Sequence, residues 1–417
     1  MDNITYSADL ANTVYPRSLR TTIAEDLQLY PVVAVMGARQ VGKSTLCRQI
    51  ARERGMSHCS MDDRGMLEQA RTDAEDLLHD LGDGGCFIDE VQRAPELFLA
   101  IKGIVDRDQR PGRFLLSGSS QPRVRGHVGD SLLGRAAYRT LRPLTLGEHR
   151  LSDSHNGWSF LLCDDDASVL TELRRRAEQS GSLEWRDTVQ TGGFPRALAA
   201  RPDQRRRLLD DYTTVFASRD IREVMGIEST ERFESFLRVV AARTGQTLNY
   251  SSLSQELGLP VNTVRRWVDA LERSYLIDRI PPYSRNASQR VISAPKLFMV
   301  DSALAMAAAR ETTSTGFHLE TLVATDLGVW KDARSGRGLH HWRLASQQEV
   351  DFVLEEHGVL LPLKVKGLSA VGYRDARHIG KFRSLYPNVK RGLLLSADPE
   401  IRVLADGVIA APWWAVL

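Results

Sequence analysis

Residues Pro31 to Ile50, PVVAVMGARQVGKSTLCRQI, place a short apolar β-branched run ahead of a glycine turn and then helix-compatible sequence. Within them Gly37 to Ser44 spells G-x-x-x-x-G-K-S, the P-loop pattern. Glycines let the backbone curl so that successive N–H groups converge on phosphate oxygens. The helix that follows sets its positive dipole end beneath them. This binds the chain to an α/β plan with a parallel sheet. Gly37, Ala38, Arg39, Gln40, Val41, Gly42, Lys43, Ser44 and Thr45 are the expected nucleotide cradle. Lys43 would reach the β- and γ-phosphates, and Ser44 would offer its hydroxyl to Mg²⁺.

Such a loop needs an acidic partner. Cys86-Phe87-Ile88-Asp89-Glu90 runs from apolar residues into two carboxylates, 46 positions after Lys43, and reads as the end of a Walker B strand. Asp89 is expected to hold Mg²⁺ through its water shell, and Glu90 to polarise the water that splits ATP into ADP and phosphate. Gly112 to Ser120, GRFLLSGSS, is another apolar strand ending in hydroxyls. Ser117 or Ser119 is its candidate γ-phosphate sensor. Arg135, after a glycine break, is the candidate arginine finger, acting within the chain or across a homo-oligomer.

The order YPRSL, GARQVGKSTL, CFIDEVQRAPELF, FLLSGSS, SLLGRA, LRPLTLGE and GGFPRAL resembles a family of prokaryotic AAA-type ATPases that bear a C-terminal domain of unknown function. The resemblance runs along nearly the whole chain. It implies an additional-strand P-loop core, binding of ATP and Mg²⁺, and a nuclease-like C-terminal domain.

Partners are constrained by charge. Lys plus Arg number 55 against 53 for Asp plus Glu, a formal net charge of +2. No whole-chain charge argues for nucleic acid or anionic lipid, so any basic surface must be local. Cys47, Cys59, Cys86 and Cys163 form no C-x-x-C pair and suit a reducing cytoplasm. No run approaches the roughly 18 to 20 apolar residues that cross a bilayer. The amino terminus has no basic segment leading into an apolar core. The expected location is cytoplasmic, with no membrane partner.

The length suits two to four domains, expected as a P-loop AAA-like core over 1–150, an insertion and helical lid over 151–230, a winged helix-turn-helix over 231–290 and a nuclease-like domain over 291–417. The stretch 151–190 mixes polar turns with one charged helical run and looks like an insertion. Gln204 to Val224 has Leu208, Tyr212, Val215, Phe216 and Ile221 at helical spacing and is the expected lid helix. Leu248 to Ile280 has a helix-turn-helix shape. Its second helix would present Asn262, Thr263, Arg265 and Arg266 to duplex DNA. From Glu231 to Arg290 nine arginines face six acids, an excess of only three, and winged helices also serve as protein contacts. Both readings stay open.

In the last segment, Glu349 to Leu354 and Leu361 to Lys366 form two strands across a His357-Gly358 turn, an arrangement similar to the PD-(D/E)XK nuclease core. Asp351 matches the first acid and Lys366 the final lysine. Lys364 stands where the second metal-binding carboxylate is expected. Lysine is donor-only and cannot ligate a hard cation at neutral pH. Glu320 on the preceding helix is the remaining acid able to pair with Asp351 around a metal. The expectation is therefore an ATPase whose C-terminal region binds DNA or a partner. An ATP-licensed nuclease and a nucleotide-gated switch for a protein partner alone are the alternatives.

Overall fold

The computed structural model describes residues 14–120, 132, 134–150, 157–163, 165–220, 230–284, 294–344, 347–386, 389–404 and 407–417. Two compact units divide the chain. Val14–Pro143 with Arg273–Tyr275 form one, and Leu144–Glu272 with Leu276–Leu417 the other. The segments expected at 151–230, 231–290 and 291–417 thus share a single unit.

In the first unit α1 (Leu19–Leu29) precedes β1 (Val32–Met36), α2 (Lys43–Glu53), β2 (Ser57–Ser60), α3 (Arg64–Thr72), α4 (Ala74–Asp80), β3 (Cys86–Asp89), α5 (Glu96–Arg107), β4 (Phe114–Gly118) and β5 (Ala136–Thr140). The strands pair in the order β2-β3-β4-β1-β5, every pair parallel. The P-loop strand β1 and the Walker B strand β3 are separated by β4, the additional strand that the sequence implies. All five residues of β1 are buried, as in a parallel sheet covered on both faces. Val32, Ala34 and Met36 meet Leu97, Phe98, Ile101 and Val105 of α5 on one face. Each of these side chains other than Ala34 contributes about 1.5–3 kcal/mol by leaving water.

The second unit opens with α6 (Leu146–His149), α7 (Phe160–Cys163), α8 (Asp166–Ser180), α9 (Trp185–Thr191), α10 (Pro195–Ala199) and α11 (Pro202–Val215). Residues 157–190 are not a peripheral insertion. Trp158, Leu161, Leu162, Val169, Leu173, Trp185 and Val189 join the main core with Leu319, Phe352, Leu363 and Leu395. Polar turns around them conceal this in the sequence. The expected lid helix is α11 followed by a π-helical turn, Phe216–Asp220, and Ile221 to Val224 lie outside the described residues. The GGFPRAL segment is a packing device. A side chain on Gly193 would meet the Leu144 carbonyl oxygen at 2.2 Å. The Gly193 N–H donates to Asp301 Oδ2 at 2.6 Å.

Next come α12 (Thr230–Ala242), β6 (Gln246–Thr247), α13 (Tyr250–Leu257), α14 (Val261–Arg273), β7 (Ile277–Ile280) and β8 (Lys296–Met299). β8 lies between β6 and β7, antiparallel to both. The boundary expected at 290 therefore falls between two strands of one sheet. Trp267 on α14 packs edge-on against Phe233 and Phe236 of α12, both at 5.3 Å between centroids.

The rest is α15 (Ser302–Ala309), α16 (Gly316–Ala333), β9 (Arg337–Arg343), β10 (Glu349–Glu356), β11 (Val359–Val365), α17 (Tyr373–Leu385), β12 (Gly392–Ser396), β13 (Arg402–Leu404) and β14 (Val408–Pro412). The mixed sheet runs β13-β14-β12-β11-β10-β9. The hairpin across His357-Gly358 forms as expected. Among the described residues no helix is long and apolar enough to cross a membrane.

Asp326 on α16 accepts a 2.7 Å hydrogen bond from Trp158 Nε1. Burial pushes its carboxyl up to about 7, so ionisation opposes folding. Wild-type stability from this group is full below about pH 4, the range of an unperturbed Asp, and is lost as pH rises to about 7. Asp326→Asn keeps the acceptor oxygen and cannot ionise. Denaturation midpoints measured across this range should show the variant gaining on wild type up to about pH 7, then holding a constant advantage.

Candidate active site

The phosphate-binding loop is shaped by three residues with positive φ: Gly37 at 154°, Gln40 at 63° and Gly42 at 99°. Gly37 is required twice over, since a Cβ there would lie 2.2 Å from the Leu141 carbonyl oxygen. Arg17, buried at the start of α1, donates from Nη1 to the Val41 carbonyl at 2.8 Å and from Nη2 to the Arg142 carbonyl. It pins the loop to the chain leaving β5. The YPRSL segment carries this arginine, but nothing in its local pattern reveals the contact.

Lys43 opens α2 and is 4% exposed. Its Nζ donates to the carbonyls of Gly37 at 3.0 Å and Ala38 at 2.8 Å. Burial pushes this ammonium below its ordinary pKa, opposed by the Glu90 and Asp89 carboxylates. Ser44 Oγ donates to Asp89 Oδ1 at 2.9 Å, joining the two residues expected to hold Mg²⁺. These residues fit a hard cation: one hydroxyl and one carboxylate are oxygen ligands of the kind Mg²⁺ takes, with water making up the rest of its shell.

Ser117 is fully buried and donates to the same Asp89 oxygen. Its hydroxyl is committed to the Asp89 carboxylate, not directed to a γ-phosphate as the sensor reading supposes. Ser119 donates to Glu90 Oε2 at 3.0 Å. Gln92 Nε2 donates to Glu90 Oε2 and, at 3.0 Å, to Ser119 Oγ. Glu90 itself has φ of 56°. The proposed base is thus held by an amide and a hydroxyl. Gln92 escaped the sequence reading, although its place two residues beyond the acidic pair was the available signal.

Arg135 departs from expectation. It immediately precedes β5, and its carbonyl accepts from Val32 N–H at the start of β1. The P-loop leaves the other end of β1, about 13 Å away at strand rise. Arg135 Nε pairs with Asp106 at 2.5 Å. It does not complete this chain's own phosphate site.

In the second unit the nuclease-like residues surround a cation from the protein itself. Lys296, at the start of β8, directs Nζ to Glu349 Oε1 at 2.6 Å, Glu320 Oε2 at 3.2 Å and Asp351 Oδ1 at 3.6 Å. Lys364 Nζ pairs with Asp351 Oδ1 at 3.0 Å, and Asp351 Oδ2 accepts from Val365 N–H at 2.8 Å. Burial, then the nearby Asp351 charge, pushes Glu320 up to about 7. Glu320 and Asp351 do converge as expected, but two ammonium groups fill their centre. Lys366 stands outside it. Lys296 was missed because a lysine opening the apolar run KLFM gives no local sign of its partners.

On α14, Asn262, Arg265 and Arg266 are exposed and Thr263 is half-buried. The Arg265 guanidinium lies over the Tyr250 ring at 4.4 Å.

Residues 29–149 match the AAA domain family, residues 182–315 a domain of unknown function (DUF8612) and residues 315–416 another domain of unknown function (DUF4143). An uncharacterized protein of Mycobacterium tuberculosis is 26% identical over 415 residues, covering 94% of this chain and 84% of its own. Its Mycobacterium bovis counterpart matches equally. Among solved structures, a Walker-type ATPase of Pyrococcus abyssi aligns with 71% of this chain and 96% of its own at 16% identity, TM-score 0.42. The RuvB Holliday junction branch migration motor of Thermotoga maritima aligns with 70% and 95% at 20% identity, TM-score 0.29. The all-parallel sheet, the loop after β1 and the acidic end of β3 define a P-loop nucleotide-binding domain. With the AAA match it is an AAA-type ATPase domain, carried in one chain with a C-terminal domain of unknown function.

Removing the Lys296 ammonium strips Glu320 and Glu349 of their cation and leaves Lys364, paired with Asp351, as the one ammonium among the three carboxylates. Lys296→Ala should destabilise the second unit by about 3–5 kcal/mol, the usual result of breaking a buried ion pair from one side, as read by urea denaturation at neutral pH.

Proposed function

We propose that the chain binds ATP with Mg²⁺ and hydrolyses it to ADP and phosphate, coupling nucleotide state to a DNA- or partner-binding C-terminal region. The observation that carries this reading is the Ser44–Asp89–Ser117 hydrogen-bond chain, with Lys43 and Glu90 at the same end of the sheet. Mg²⁺ held by Ser44 and Asp89 would withdraw charge from the β- and γ-phosphates. Lys43 would add its own charge to the γ-phosphate. Glu90, once released from Gln92 and Ser119, would accept the proton of the attacking water. Arg135 has no part in this within one chain, and a role for it would require a second copy.

For the coupled region, α12, α13 and α14 beside the antiparallel β6-β8-β7 sheet support a winged-helix reading. The exposed Asn262, Arg265 and Arg266, with Thr263 beside them, are the proposed contacts to duplex DNA. Binding of a protein partner alone is the competing reading. The two are separated by salt: phosphate contacts release counterions and a partner contact need not.

ATP hydrolysis should be measured with and without duplex DNA, using Glu90→Gln as the blank. Loss of turnover by about a hundredfold or more, with ATP binding retained, is the expected result. Stimulation by DNA that Arg265→Ala/Arg266→Ala abolishes supports the DNA reading. Unchanged hydrolysis favours the partner switch, and full activity in Glu90→Gln overturns the assignment of the base.

A further inference from the structure

The net charge of the chain is only +2, so any surface that attracts polyanions must be local. From Lys364 to Arg383 six lysines and arginines stand against the single acid Asp375. Two of the six are engaged internally. Lys364 pairs with Asp351, and Arg383 Nη2 donates to the Lys390 carbonyl at 3.0 Å. Asp375 accepts from the Gly372 N–H at 3.0 Å at the start of α17. Lys366, Arg374, Arg377 and Lys381 have no ion-pair partner among the described residues.

The fold collects these four. Arg374, Arg377 and Lys381 recur every three or four residues along α17 and are exposed, spanning about 10 Å of helix. The opposite side of α17, Ala376, Ile379 and Phe382, is buried. Lys366 follows β11, against which α17 packs. His378 of α17 meets the start of β10, its Nδ1 3.3 Å from the Glu349 carbonyl oxygen. Burial, with the fields of Lys364, Arg377 and Lys366, holds its imidazole below the ordinary pKa. Tyr373 is 58% exposed at the head of the same helix.

We propose that Lys366, Arg374, Arg377, Lys381 and the ring of Tyr373 form a binding face for single-stranded nucleic acid, which the domain holds without cutting. The cations track the phosphates and the tyrosine stacks on one base, the combination that non-specific single-strand binders use. A phosphodiester on this face is not cleaved, because Lys296 and Lys364 provide the positive charge at the carboxylate centre and leave no open cation position. A lipid surface is disfavoured on geometry. A membrane-lying helix needs its apolar side free, and that of α17 is closed against the sheet. The proposal is independent of the ATPase reading and of α14.

The test uses the full chain without nucleotide, in EDTA, with a fluorescent single-stranded oligonucleotide of about 20 nucleotides followed by anisotropy, a length that covers one such face. Wild type should bind with affinity that falls with salt. Arg374→Ala/Arg377→Ala/Lys381→Ala should weaken binding by about tenfold or more, and make the log K against log salt slope shallower by about 2, at roughly 0.7 per lost contact. Tyr373→Ala should weaken binding with the slope unchanged. Arg207→Ala, at an exposed arginine of α11 outside both faces, should leave single-strand binding as in wild type. The proposal is overturned if the triple variant binds as wild type does, if binding requires Mg²⁺, if the oligonucleotide is cut on adding Mg²⁺, or if only phosphatidylserine vesicles are bound.

Discussion

The Asp89 carboxylate sits where three elements meet. It ends β3, accepts from Ser44 in the first turn of α2 and from Ser117 near the end of β4, and lies 3.5 Å from Arg48 Nη2. Each bond to a buried charged acceptor contributes about 1.5–3 kcal/mol. Loss of either serine would leave this buried carboxylate one hydrogen bond short, with the other serine and Arg48 remaining. The same contacts that stabilise the carboxylate fix the P-loop helix against the sheet. One side chain thus ties β3, β4 and α2 together at the end of the sheet that carries Lys43 and Glu90.

The second unit solves a similar electrostatic problem by other means. Glu320, Glu349 and Asp351 would repel one another if left bare, and desolvation makes each charge more costly. Two ammonium groups, together with a Glu320 carboxyl pushed up to about 7, bring the centre close to neutrality. A divalent ion could balance the same carboxylates, but it would bring open coordination positions and hence chemistry. Lysine balances them and brings none.

Legibility in the sequence followed the range of the interactions. The P-loop and the acidic end of β3 were readable because their chemistry lies within a few consecutive residues. The helix pair around Gly258 was readable because Trp267, Val268 and Leu271 repeat at helical spacing. The position of Arg135 away from its own P-loop was not legible, because it depends on which end of β5 the residue occupies, a matter of strand register. Ser117 was correctly placed on a strand, yet its partner lies 28 residues away on a neighbouring strand. Gln92 and Lys296 were invisible for the same reason. Single polar residues acquire meaning only from what the fold sets opposite them.

The position of Lys296 bears on how the chain can be taken apart. Its backbone belongs to the small sheet with β6 and β7, while its side chain neutralises carboxylates on α16 and β10. A cut between β7 and β8 would split the small sheet, and a cut just after β8 would remove the cation from the larger one. The segment from α12 to β7 and the segment from β8 onward are therefore poor candidates for separate expression. Evolutionary shuffling of either one alone would meet the same electrostatic barrier.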